Sequence, residues 1–230
     1  MVGIGLALAL GTLLGRTLGV GKDVSLLVTV GTAICGGSAI AAVAPVLGAK
    51  EEDVSMALVT VFLLNALALL VFPVVGHALS MKQDAFGLWC ALAIHDTSSV
   101  VGAASQYGTR ALDVATAAKL ARALWIVPVT FAISLRRRGA QTASPKRPWF
   151  IAGFLGVAAV VTFVPALQDA GRVVAALAHR LLSSTLFLIG LGMSRDALRG
   201  LGARPLVQAV ALWLALATLT LIAITTGLIG

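Results

Sequence analysis

Long unbroken apolar stretches, set apart by short polar clusters, run the length of the chain. A hydrocarbon layer about 30 Å thick is crossed by about 20 helical residues. Val2–Val20, Val54–Leu79, Ala111–Leu135, Trp149–Leu167 and Leu206–Ile229 meet that length as they stand. Further stretches are apolar but flawed. Leu26–Ala49 is interrupted by Gly31, Gly36, Gly37 and Pro45, and Phe86–Gln106 carries His95-Asp96-Thr97-Ser98-Ser99 at its centre. Leu181–Met193, fenced by Arg180 and Arg195, covers only about 20 Å at 1.5 Å per residue. The pattern predicts an all-α, polytopic helical membrane protein with about 7–8 membrane segments, discontinuous helices among them. It forms a single transmembrane domain over 1–230, with a first helix group at 1–135, a basic loop at 136–148 and a second helix group at 149–230.

Composition agrees with the pattern. Of the 230 residues 59% are hydrophobic and 11% charged, and the mean hydropathy is +1.02. Soluble domains carry about 25% charged residues, and one soluble core of this size could not hide so much apolar surface. Apolar runs far longer than a strand exclude an outer-membrane barrel. Met1 leads straight into an apolar stretch with no basic n-region or cleavage site, so no signal peptide is expected. Cys35 and Cys90 both lie in apolar context and offer neither a disulfide framework nor metal-ligand spacing.

The net charge of +8 raises a nucleic-acid reading, but the excess is concentrated in Arg136-Arg137-Arg138 and Lys146-Arg147. A cytoplasmic loop obeying the positive-inside rule accounts for it, so no nucleic-acid partner is expected. Counting outward, and taking every flawed segment as a full crossing, puts Arg195–Arg204 and Lys22-Asp23 inside. The same count puts Lys50-Glu51-Glu52-Asp53 outside and leaves Gln168–His179 as an external connector. A re-entrant segment would invert what precedes it.

Candidate chemistry sits in the flawed segments, because irregular backbone at membrane depth survives only inside protein or beside a wet cavity. In Gly31-Thr32-Ala33-Ile34-Cys35-Gly36-Gly37-Ser38-Ala39 the adjacent glycines permit a break and a close backbone approach; a small-residue packing face is the plainer alternative. Five polar residues at His95–Ser99 cannot share one helix face, which predicts local unwinding, with Asp96 or Ser98 capping a second half-helix near Ser99. Lys119 and Arg122 stand three apart on one face. Asp96 could pair with only one of them, and the cation left over calls for an anion. Cys35, Gly36, Gly37, Ser38, His95, Asp96, Ser98, Ser99, Lys119 and Arg122 are therefore the candidate substrate-binding residues. Asn65 reads as an interhelical hydrogen-bonding residue, and His77 and His179 as bystanders. No cofactor or metal is expected.

At these motifs the sequence resembles a bacterial membrane family described as sulfate exporters, the YeiH-like family. The resemblance rests on Gly31 through Ala42 with Ala44-Pro45, on Ile94-His95-Asp96, on Lys119-Leu120-Ala121-Arg122 with Pro128, and more weakly on Gly190-Leu191-Gly192-Met193 with Arg204-Pro205. It implies a fold related to bile-acid symporters and sodium/proton antiporters, with inverted repeats and crossing discontinuous helices. The departures are Asp96 and Ser98-Ser99 where many relatives carry Glu and Gln, and a shorter N-terminus. The latter implies a chain truncated within one repeat.

The leading expectation is a secondary transporter of a small sulfate- or sulfonate-like anion, coupled to H+ or Na+, in the bacterial inner membrane. Its partners are the anion, the coupling ion and the lipid bilayer, with a homo-oligomer left open. A cation/proton exchanger using Asp96 with His95, and a non-transporting membrane subunit, are the alternatives. An enzyme is not expected: there is no paired-carboxylate, metal-ligand or nucleophile-elbow motif.

Overall fold

The computed structural model describes residues 2–136 and 202–229, with scattered positions between 156 and 181. The described residues are helical and contain no strand. In chain order the helices are α1 (Val2–Thr17), α2 (Lys22–Ala33), α3 (Gly37–Leu47), α4 (Glu51–Ala78), α5 (Gln83–Ala93), α6 (Thr97–Tyr107), α7 (Thr109–Ala123), α8 (Ile126–Arg136) and α9 (Ala203–Thr225). The segments Trp149–Leu167, Gln168–His179 and Leu181–Met193 and the basic loop fall wholly or largely outside the described residues.

Local chemistry explains the boundaries. Helix α4 opens with Glu51, Glu52 and Asp53 in its first turn, where acidic groups complement the positive end of the helix dipole. Helix α3 closes on Gly48, in the left-handed conformation at φ 62°, a position glycine takes without steric penalty. The span Ala111–Leu135 is divided at Leu124 and Trp125. Pro128 lacks an N–H for the Leu124 carbonyl, and its ring crowds that carbonyl. The chain tightens there, with Trp125 N–H bonded to the Arg122 carbonyl at 3.1 Å.

Both flawed segments are helical hairpins. Helix α2 runs inward from Lys22, the chain reverses through Ile34-Cys35-Gly36, and α3 folds back beside it. A Cβ on Gly31 would come within 2.9 Å of Ile40 Cδ1, so the two arms touch where Gly31 leaves room. The second hairpin is closed at its base. Gln83 Oε1, at the start of α5, accepts the Arg110 N–H just past α6 at 3.0 Å, and Arg110 Nε bonds Asp84 Oδ1 at 2.7 Å. Tyr107, ending α6, stacks on Phe86 with ring centroids 3.8 Å apart and donates to the carbonyls of Gly76 and Met81.

These contacts give the bundle two ends. The first end gathers the close of α1, the base of the first hairpin, and the starts of α4 and α9. Gly19 lies against Arg204, and Gly202 lies against Met56 near the start of α4. Gln208 of α9 is fully buried, and its amide nitrogen reaches the Gly11 carbonyl at 3.0 Å and Ser25 Oγ at 2.9 Å. The second end holds the close of α4, the base of the second hairpin and the start of α7. Near it the Trp89 indole donates to the Ala217 carbonyl at 2.9 Å and stacks on Phe72. Of the two arrangements the sequence left open, full crossing and re-entry, the described residues take re-entry. Each hairpin returns the chain to the end at which it entered, so Lys50–Asp53 lies at the same end as Lys22.

Helices α4 and α9, and the run Thr109–Leu135 formed by α7 and α8 together, are long and apolar enough to cross a membrane. Their outer faces are apolar: Leu70 and Val74 of α4, Phe131 of α8, and Leu214 and Ile222 of α9 are exposed. That is the surface a lipid solvent selects, since water would not tolerate it.

Candidate functional site

The hairpin tips meet midway between the two ends. Gly36 has φ 69° and ψ −129°, a region L side chains avoid. A Cβ there would stand 3.1 Å from Asp96 Cβ and 3.3 Å from its backbone nitrogen. Glycine thus serves both the reversal and the contact between tips. Four helix ends converge here: the C-termini of α2 and α5 and the N-termini of α3 and α6.

The C-termini carry carbonyls that no further helical turn satisfies, and with them the negative ends of two helix dipoles. Lys119 and Arg122, neighbours on α7, supply the donors. Arg122 Nε donates to the Ala33 carbonyl of α2 at 2.8 Å, and its Nη1 donates to the Leu92 carbonyl of α5. Lys119 is fully buried, and its Nζ donates to the Ile94 carbonyl at 2.7 Å and the Ala91 carbonyl at 3.4 Å. Neither cation meets Asp96. The acceptors read from the sequence, a carboxylate or a bound anion, are here backbone carbonyls freed by the breaks.

The N-termini are unequal. Asp96 caps α6: its Oδ1 accepts the Ser99 N–H at 2.7 Å and its Oδ2 accepts the Ser99 hydroxyl at 2.8 Å. Helix α6 accordingly begins at Thr97, two residues earlier than the pattern suggests. Helix α3 begins on Gly36 with no side-chain cap, so the first-turn amides of Gly37 and Ser38 have no capping oxygen. Between the two N-termini lies a pocket of about 290 Å³ lined by Cys35, Gly37, Ser38, Asp96, Thr97 and Ser98, with Leu58 and Phe62 of α4. The Ser38 hydroxyl donates to Cys35 Sγ at 2.9 Å.

Of the residues singled out in the sequence, Cys35, Gly37, Ser38, Asp96 and Ser98 line this pocket. Gly36 and Ser99 shape it, while Lys119 and Arg122 stand behind it on the carbonyl side. His95 is buried at the second tip. Its backbone N–H donates to Asn65 Oδ1 at 3.1 Å, which ties the tip to α4. The ring nitrogens of His95 and the Asn65 Nδ2 have no hydrogen-bond partner among the described residues. His77 stacks on Tyr107 away from the tips. Sequence reasoning missed Thr97, Leu58 and Phe62. Thr97 stood inside the polar run, but Leu58 and Phe62 look like any apolar residues of a span.

Residues 1–209 match the family model described as Conserved hypothetical protein 698. The chain belongs to this family. Its relatives include UPF0324 membrane proteins of Bdellovibrio bacteriovorus, 54% identical over 99% of this chain and 71% of the relative, and of Geobacter sulfurreducens, 51% identical over 97% and 72%. A UPF0324 membrane protein of Bacteroides thetaiotaomicron is 46% identical over 93% of this chain and 65% of the relative. No solved structure matches the chain. With the apolar spans described above, this member of the family is a membrane protein whose site lies within the helical bundle.

Proposed function

We propose that the protein is a secondary transporter of a small anion, and that the anion binds at the uncapped N-terminus of α3. The observation that carries this reading is the pairing of an uncapped helix start with a pocket directly over it. Free first-turn amides and the positive dipole end make such a place an anion site. The first turn of α6, with Thr97 and Ser98 lining the pocket, adds donors. Lys119 and Arg122 hold the opposing carbonyls and bias the tips positive without touching the ligand. Against them stands Asp96 alone, already engaged by Ser99. Broken helices whose ends face a substrate are how secondary transporters place charge at mid-membrane.

The architecture supports the same reading. A hairpin from the first end is followed by α4, and a hairpin from the second end is followed by α7 and α8 running the opposite way. We read this as an inverted repeat in a bundle of about 7–8 segments, located in the bacterial inner membrane. The resemblance to sulfate exporters agrees in the sign of the cargo. His95, buried at the second tip, is the group we assign to proton coupling. The second reading, a cation exchanger, rests on Asp96 lining the pocket.

Cys35 and Cys90 are both buried, so occupancy is read from a Ser98→Cys variant, at a half-buried position of the pocket, with the two native cysteines replaced by Ala. In that purified protein, a bound anion is expected to slow modification of the introduced thiol by a small thiol reagent in a saturable way. Protection by Na+ that disappears in Asp96→Asn would instead establish the exchanger, and protection by neither ion would end the transporter reading.

A further inference from the structure

The pocket has two chemistries. Backbone amides and hydroxyls, with the Cys35 thiol and the Ser99-bound carboxylate of Asp96, form the side made by the hairpin tips, and Leu58 and Phe62 form the side made by α4. These two residues are four apart, so they present one continuous apolar face along the helix. They also stand close to the proposed anion position: from a Cβ built on Gly37, Phe62 Cζ would be 3.0 Å away and Leu58 Cδ2 3.3 Å. The free amide of α3 and the aromatic edge of Phe62 thus border the same space.

Size points the same way. A pocket of about 290 Å³ equals the liquid volume of roughly ten waters at about 30 Å³ each. An inorganic tetrahedral oxyanion, with five heavy atoms, would leave most of it unfilled. It would also leave Phe62 and Leu58 facing water in the occupied site, which wastes the apolar wall. We propose, resting on the anion reading above, that the cargo is a small organic anion. Its charged head sits on the α3 N-terminus and its short apolar body lies along Leu58 and Phe62. These two residues then determine specificity.

The inference is tested on the purified full chain by titrating melting temperature with inorganic sulfate and with methane-, ethane-, propane- and butanesulfonate. Each added methylene that reaches the wall is expected to tighten binding about fourfold, the equivalent of about 0.8 kcal/mol per buried CH₂, until the wall is covered. Phe62→Ala is expected to flatten the series, so that each added methylene changes affinity by less than about twofold. Phe62→Trp, which keeps the wall packed should the alanine variant fold poorly, shortens the longest chain accepted. A flat series in the unmodified protein, with sulfate bound as well as butanesulfonate, overturns the organic-anion inference and leaves the anion site standing. Equal binding of 1-butanol and butanesulfonate, or no binding by any anion, overturns the anion site itself.

Discussion

Arg122 and Lys119 were legible as cations at membrane depth but not in their geometry. Cations at mid-membrane demand compensation, and the side chains in the sequence offered Asp96 alone. The acceptors turned out to be carbonyls of Ala33, Ala91, Leu92 and Ile94. Every residue carries a carbonyl, so no sequence signal marks the ones a break will free. Asp96, by contrast, was readable as a cap, one of two candidates with Ser98, because Asp and Ser are favoured N-cap residues. The arrangement predicts that Arg122→Gln loses two charge-assisted contacts and destabilises the protein by about 2–3 kcal/mol. Arg122→Lys should recover only part of this, since one ammonium lacks the fork that reaches two helices. Melting temperatures in detergent check this. An Arg122→Gln protein as stable as the parent would remove the structural role assigned to the guanidinium.

At the scale of elements, the glycine and polar interruptions located both breaks, and the structure brings them together as expected. What the sequence left undetermined was whether the chain continues or reverses at each break, because a half-helix pair has the same apolar length either way. Reversal is decided by contacts between residues far apart in the chain, such as Gly31 with Ile40 and Gln83 with Arg110. Gly36 is the hinge of the first reversal. Gly36→Ala would force a β-carbon into a conformation costing about 1–3 kcal/mol for an L residue and press it on Asp96. A loss of at least that size is expected, together with weaker anion binding, because the tip must shift. Gly5→Ala, with no neighbour within 4 Å of the added carbon, is the matched control and should melt at or slightly above the parent, since alanine is the better helix former. Equal stability of the two variants would show that the tip is not held as described.

For the whole molecule, the two hairpins fix which charges share a membrane face, and that decides orientation. Arg16, Lys22, Lys50, Arg204 and the end of α8 at Arg136 lie at the first end, whereas Lys82 and Arg110 lie at the second. The sequence also runs on from Arg136 into Arg137, Arg138, Lys146 and Arg147. Lys and Arg near span ends mark the cytoplasmic side, so the first end is expected inside. Lys50 is the discriminating position. Full crossings would separate it from Lys22 across the bilayer, and a hairpin keeps the two together. Single cysteines at Lys22, Lys50 and Lys82, in a protein whose own Cys35 and Cys90 are replaced by Ala, allow the test in intact cells with a membrane-impermeant thiol reagent. Lys82→Cys should label directly, and Lys22→Cys and Lys50→Cys only after the membrane is permeabilised. Labelling of Lys50→Cys but not Lys22→Cys from outside would refute the first hairpin. Labelling of both with Lys82→Cys protected would keep the hairpin and reverse the protein in the membrane, against the charge distribution.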